Sequence, residues 1–195
     1  MVFVMEFQEI VRRRRMVRTF SDKPVPEASL ARILDNAVRG PSAGFSQGQS
    51  FLVLTEAADR ARFWSVGGVA VAESAQTAPL VIVPMSCKRV YLDRYAEPDK
   101  GWTDRDEARW PVPFWHIDTG MATLLILQTV VDEGLGAIYF GIVPEQVQPF
   151  RDEFGVPDDQ EPIGAVAIGY DAEAAKRDLR SKRRPAADVM HHGRW

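Results

Sequence analysis

The chain has 195 residues and a formal charge of -3, enough for one domain in which roughly two thirds of the unfolded surface can be buried. That balance argues against a dedicated nucleic-acid binder, which needs a basic excess to displace counterions from phosphates. The single cysteine, Cys87, excludes an internal disulfide and lacks partners for a zinc site, and no uninterrupted apolar stretch approaches the ~20 residues of a membrane span. Met1 to Met5 are too short for a secretory h-region, so the expectation is a cytoplasmic, reducing location with Cys87 as a buried core thiol.

In chain order, Phe7 to Arg14 reads as a short helix with Phe7, Ile10 and Val11 on one face, ending in an arginine run. Pro24-Val25-Pro26 breaks the chain, and Pro26 suits the first turn of a second helix with Leu30, Ile33, Leu34, Ala37 and Val38 at helical spacing. Gly40-Pro41 stops it. Ser50 to Leu54 reads as a buried strand followed by a crossover helix from Glu56 to Val66, and Pro79 to Met85 as a second buried strand. From Tyr91 to Phe114 the pattern gives way to a polar excursion, a candidate lid at about 91–114. Trp115 to Glu133 reads as a long helix whose apolar residues cover more than one stripe, as in a helix buried on several sides. Gly134-Leu135-Gly136 ends it. A short strand from Ala137 to Phe140, a helix from Glu145 to Phe154 closed by Gly155, and a buried strand from Ile163 to Ile168 follow. The tail from Asp171 to Trp195 is charged and irregular. Interspersed strands and helices predict a single layered domain, α/β or α+β, spanning 1–195.

Four successive arginines, Arg12 to Arg15, advance about 100° each on a helix and cannot all face one partner. A solvated helix end accounts for part of the run, because cations suit a helix C-terminus. Arg18, beyond Met16 and Val17 in an extended segment, can point back and offer a planar fork to a phosphate. In Pro41-Ser42-Ala43-Gly44-Phe45-Ser46-Gln47 the small residues leave room for a ligand to approach the backbone amides, although alone the string is only a turn rich in small residues. Tyr91, Tyr95, Trp102, Trp110 and Phe114 form either a stacking surface or the pins of a long loop. His116 reads as a core or interface histidine. The adjacent His191 and His192 diverge, so no metal site is expected.

Taken together, Arg14-Arg15-Met16-Val17-Arg18-Thr19-Phe20 and Gly40-Pro41-Ser42-Ala43-Gly44-Phe45-Ser46-Gln47 resemble the opening of the FMN-dependent nitroreductase family. The resemblance continues in Asp118-Thr119-Gly120-Met121-Ala122, Gly134-Leu135-Gly136-Ala137, Pro162 to Tyr170, Arg183-Arg184-Pro185 and the ending Val189 to Trp195. It implies an α+β fold with a central, mainly antiparallel sheet flanked by helices, in an intertwined homodimer whose two FMN sites are each lined by both chains. By position, the resemblance assigns Arg14 and Arg18 to the phosphate and ribityl end, Arg15 and Met16 to the ring, and Arg183 to the phosphate. Ser42, Ala43 and Phe45 would come from the neighbouring subunit, and Ile138, Tyr139, Phe140 and Gly141 would pass over the flavin face. Tyr95, Trp102 and Trp110 become the candidate substrate-binding rings.

The implied activity is hydride transfer from NADH or NADPH through flavin to a small planar acceptor, such as a nitroaromatic or quinone, by a ping-pong mechanism. It needs no protein nucleophile and involves neither nucleic acid nor membrane. The alternative is a flavin- or deazaflavin-binding protein without rapid turnover, which stores or shields its cofactor. Four positions depart from the family pattern: Met16 stands where Ser is frequent, Phe45 where Asn is, and Gly48-Gln49 where Pro-Trp is.

Overall fold

The computed structural model describes residues 5–68, 71–175 and 179–195; residues 1–4 of the apolar start, 69–70, and 176–178 of the charged tail lie outside the described residues. Helices α1 (Phe7–Arg13) and α2 (Glu27–Ala37) precede strand β1 (Gln49–Leu54), helix α3 (Ala57–Val66), strand β2 (Leu80–Ser86) and helix α4 (Lys88–Tyr95). Then come α5 (Phe114–Asp132), β3 (Gly136–Phe140), α6 (Pro144–Phe154) and the strands β4 (Glu161–Pro162) and β5 (Ala165–Gly169). The sheet runs β1-β2-β5-β3, with β4 beside β2, and every strand pair is antiparallel.

The two faces of the sheet follow from strand periodicity, which sends alternate side chains to opposite sides. Leu80 and Ile82 of β2, with Val166 and Ile168 of β5, meet Ile33 and Ala37 of α2 and Ile126, Leu127 and Val130 of α5. Val81 and Val83, with Ala165 and Ala167, meet Phe63 of α3 and Phe150 of α6 on the other face. Small alanines on β5 face two large rings that are themselves edge-to-face at 6.1 Å. Both faces are covered, so the central strands read as continuous apolar runs.

Helix α5 is 19 residues long and apolar enough to pass for a membrane span, yet half of it is buried inside the body. Its buried threonines are satisfied within the helix: the hydroxyls of Thr119, Thr123 and Thr129 each donate to the carbonyl four residues earlier at 2.8 Å. The sequence expectation for this helix holds to within a residue at each end.

Three expectations need correction. β1 is not a buried crossover strand but a sheet edge, largely half-exposed and paired antiparallel to β2. The predicted last strand, Ile163 to Ile168, begins only after Gly164, whose φ is 144° and whose Cβ would come within 2.6 Å of the Phe140 carbonyl, and the two-residue β4 precedes that break. The excursion opens not as loop but as α4, with Tyr91 fully buried. Cys87 is buried, as expected.

Candidate functional site

The arginine run is sorted by its partners. Arg12 and Arg13 both bond to Glu9, one helical turn back, at 2.7 Å and 2.5 Å, as solvated helix-end charges do. Past α1 the chain straightens, and Met16 and Val17 run along β3, the Val17 N–H donating to the Ala137 carbonyl at 2.9 Å. Val17 and Phe20 drop into the core. The extended segment is then fastened from three sides: Thr19 to Ser21 exchange backbone bonds with Tyr170 to Ala172, Ser74 donates to the Arg18 carbonyl at 2.7 Å, and Thr77 to the Phe20 carbonyl at 2.9 Å.

Arg15 turns to the chain's far end, where its guanidinium bridges Asp171 and Glu173. Burial alone would raise the Glu173 carboxyl, but the bonds from Arg15 and from the Arg18 N–H, the latter at 2.6 Å, outweigh it and hold the group below its ordinary range. The Arg15 side chain is thereby occupied, and only its main chain remains to face a ring. Arg14 and Arg18, both half-exposed, have no carboxylate within ion-pair distance among the described residues. Arg18 lines an open pocket with Thr19, Ser74 and Glu173. Two unneutralised guanidinium groups four residues apart on a pinned strand are donors suited to a phosphate.

The Met16 Sδ accepts the Tyr139 N–H at 3.4 Å, a weaker bond than a hydroxyl oxygen would make. Ile138 and Phe140 turn their side chains into the core, so only their backbone is available to a flavin face. Tyr139 is half-buried, its hydroxyl bonded to the Ile163 carbonyl, and burial pushes its phenol up. Gly141 is exposed.

The Ser42–Gln47 turn is held by a set of groups whose part in holding it sequence reading did not assign. Asp118, only 3% exposed in α5, accepts from the Ala43 N–H at 2.8 Å and from the Tyr91 hydroxyl at 2.9 Å. Burial, reinforced by the Asp118 carboxylate, pushes the Tyr91 phenol well up, so it remains a donor. Arg94 donates to the Gly44 carbonyl at 2.9 Å, and the Ser42 hydroxyl accepts the Gln47 N–H at 2.8 Å. The available signal for Asp118 was a carboxylate inside a largely apolar helix whose other carboxylate, Asp132, stands at its end. Glu173 carried no signal, because its partners lie more than 150 residues away.

The structure assigns the excursion's aromatics to one another. Tyr95 lies 4.5 Å from Trp110 and 5.0 Å from Trp102, Trp102 and Trp110 are 5.5 Å apart, and Trp110 continues to Phe114 and Trp115. These rings pin the loop to α4 and α5, the second of the two readings open at the sequence level. His116 bonds through Nδ1 to the buried Ser86 hydroxyl at 2.8 Å. Arg183 lies in an exposed arm whose hydrogen bonds among the described residues are internal to it, so within one subunit it is not tied to Arg14 or Arg18.

Comparison with known proteins adds a lineage to this geometry. The sequence profile of the nitroreductase family matches residues 11–76 and 70–170. A protein of Methanothermobacter thermautotrophicus, provisionally named an NADH dehydrogenase/NAD(P)H nitroreductase, is 29% identical over 194 residues, covering 98% of this chain and 88% of its own. A nitroreductase family protein from Clostridium difficile shares the fold with a TM-score of 0.74 at 23% identity, covering 98% of this chain and 100% of its own. An Exiguobacterium sibiricum protein, provisionally named a nitroreductase and solved in complex with FMN, superposes with a TM-score of 0.76 at 19% identity over 96% of this chain and 97% of its own.

Proposed function

This chain belongs to the nitroreductase family, and from that footing we propose that it is an FMN-dependent oxidoreductase that uses NADH or NADPH to reduce a small planar acceptor such as a nitroaromatic or quinone. The observation that carries the reading is the sorting of the arginine run. Arg12, Arg13 and Arg15 are neutralised by Glu9, Asp171 and Glu173, while Arg14 and Arg18 have no carboxylate partner among the described residues, which leaves their charge available to an anion. That donor set fits a cofactor phosphate, and the uncharged turn at Ser42–Gln47 fits the polar edge of a ring.

Arg14 and Arg18 would hold the phosphate and ribityl end, with Arg183 joining them from the arm. The backbone of Arg15, Met16 and Ile138 to Gly141 would lie beside the ring. Bound FMN supplies a two-electron carrier between nicotinamide and acceptor. The protein's part is placement and charge: positive guanidinium groups favour the anionic cofactor, and the Glu173 bond fixes the Arg18 main chain.

The site is completed by a second copy of the chain. Ile117, Met121 and Leu124 form an outward stripe on α5, at 39%, 37% and 45% exposure, and Val38, Phe7 and Val11 are exposed on α1 and just after α2. A face this apolar calls for a partner, and a homodimer would bring the Ser42–Phe45 turn of one subunit, and its arm, to the flavin of the other. Mass spectrometry of the small molecule released on denaturing the purified protein tests the reading. FMN at about one per chain is expected; a deazaflavin, or no chromophore, overturns it.

A further inference from the structure

Phe45 is 75% exposed and sits at φ 57°, in the left-handed region where a bulky side chain is strained. Asparagine or glycine would hold that backbone at lower cost. The conformation is imposed from three directions. The Ala43 N–H is fixed by Asp118, the Gly44 carbonyl by Arg94, and the underside of the turn rests on the Tyr95 ring, which a Cβ on Gly44 would approach to 2.6 Å. Tyr95 is in turn wedged by Trp102 and Trp110. The aromatic cluster and α4 thus form a base under the turn, and the ring they lift into the open belongs to Phe45.

Resting on the flavin reading above, we infer that Phe45 is the specificity-determining residue on the acceptor side, a preset aromatic face on which planar conjugated acceptors stack. Tyr95, Trp102 and Trp110 act through it as its support. Strain of this kind persists where the surroundings over-determine it, and a rigid exposed ring loses little entropy when a flat molecule covers it. A bicyclic naphthoquinone gains from that face; ferricyanide, which has no ring to stack, does not.

Steady-state kinetics with a nicotinamide donor and each of these two acceptors, on the wild type, Phe45→Asn and Phe45→Tyr, test the inference. Phe45→Asn should raise KM for the naphthoquinone relative to ferricyanide by about 2- to 12-fold, the range of one aromatic contact. Phe45→Tyr should keep the wild-type ratio. The asparagine variant should also melt about 2–4 °C higher, because it relieves the backbone. An unchanged KM ratio in flavin-loaded Phe45→Asn overturns the inference and leaves the flavin reading standing, as does weaker self-association in sedimentation without a change in that ratio. A wild-type protein that holds no flavin overturns both.

Discussion

At the residue scale, a run of four arginines resolves into individuals with different work. Helical geometry already says that Arg12 to Arg15 diverge, and Glu9 at three and four residues' distance accounts for Arg12 and Arg13. The use made of Arg15 was not legible, because Asp171 and Glu173 are brought to it only by the closing of the sheet. Arg14→Ala should weaken FMN binding by about 1.5–3 kcal/mol, the range for a bond to a charged group. Arg12→Ala should change it by less than about 0.5 kcal/mol, as for a surface ion pair. Flavin fluorescence titration of the apoproteins separates the two; equal losses would mean that the run acts only as diffuse charge. Asp118 is a second individual. Asp118→Ala leaves the buried Tyr91 hydroxyl and the Ala43 N–H without their acceptor, and should cost about 2–4 kcal/mol in denaturant unfolding.

At the scale of elements, the strands and long helices were legible because their periodicity is strong, and the site's supports were not because they are short. Helix α4 is eight residues with only Tyr91 buried, too brief for a face to emerge against its charged neighbours. Tyr91 fits where it does because Gly48 has no side chain: a Cβ there would stand 2.6 Å from the Tyr91 ring. Gly44→Ala should therefore destabilise the turn twice over, through its φ of 61° and through the Tyr95 ring, by about 1–2 kcal/mol in thermal unfolding. The bond between the Arg14–Phe20 segment and the chain after β5 has a pH signature. Glu173 is held below its ordinary range by Arg15 and the Arg18 N–H against the opposing effect of burial. Its stabilisation is thus complete above the usual carboxylate range and lost as pH falls through the depressed folded value. Limited proteolysis after β5 should accelerate in acid in the wild type, while Glu173→Gln should cleave at a fast rate already at neutral pH.

At the scale of the molecule, the antiparallel sheet has α2 and α5 on one face and α3 and α6 on the other, and among the described residues the outer stripe of α5 is exposed. The breadth of apolar residues on α5 was readable from sequence as burial on several sides. Within one subunit that expectation is met on the sheet side and unmet at Ile117, Met121 and Leu124. Leu124→Glu should shift the protein from dimer to monomer in sedimentation velocity and lower flavin content with it, since the Ser42–Phe45 turn would no longer reach a second subunit. The central claim is that the sorted arginines and the turn hold a flavin that cycles between a nicotinamide and an acceptor. Anaerobic titration of the purified protein, followed by flavin absorbance, tests it directly. The account predicts that NADH or NADPH bleaches the flavin band and that a quinone restores it; a flavin that stays oxidised with both nicotinamides, or a bleached one that no quinone reoxidises, would contradict it.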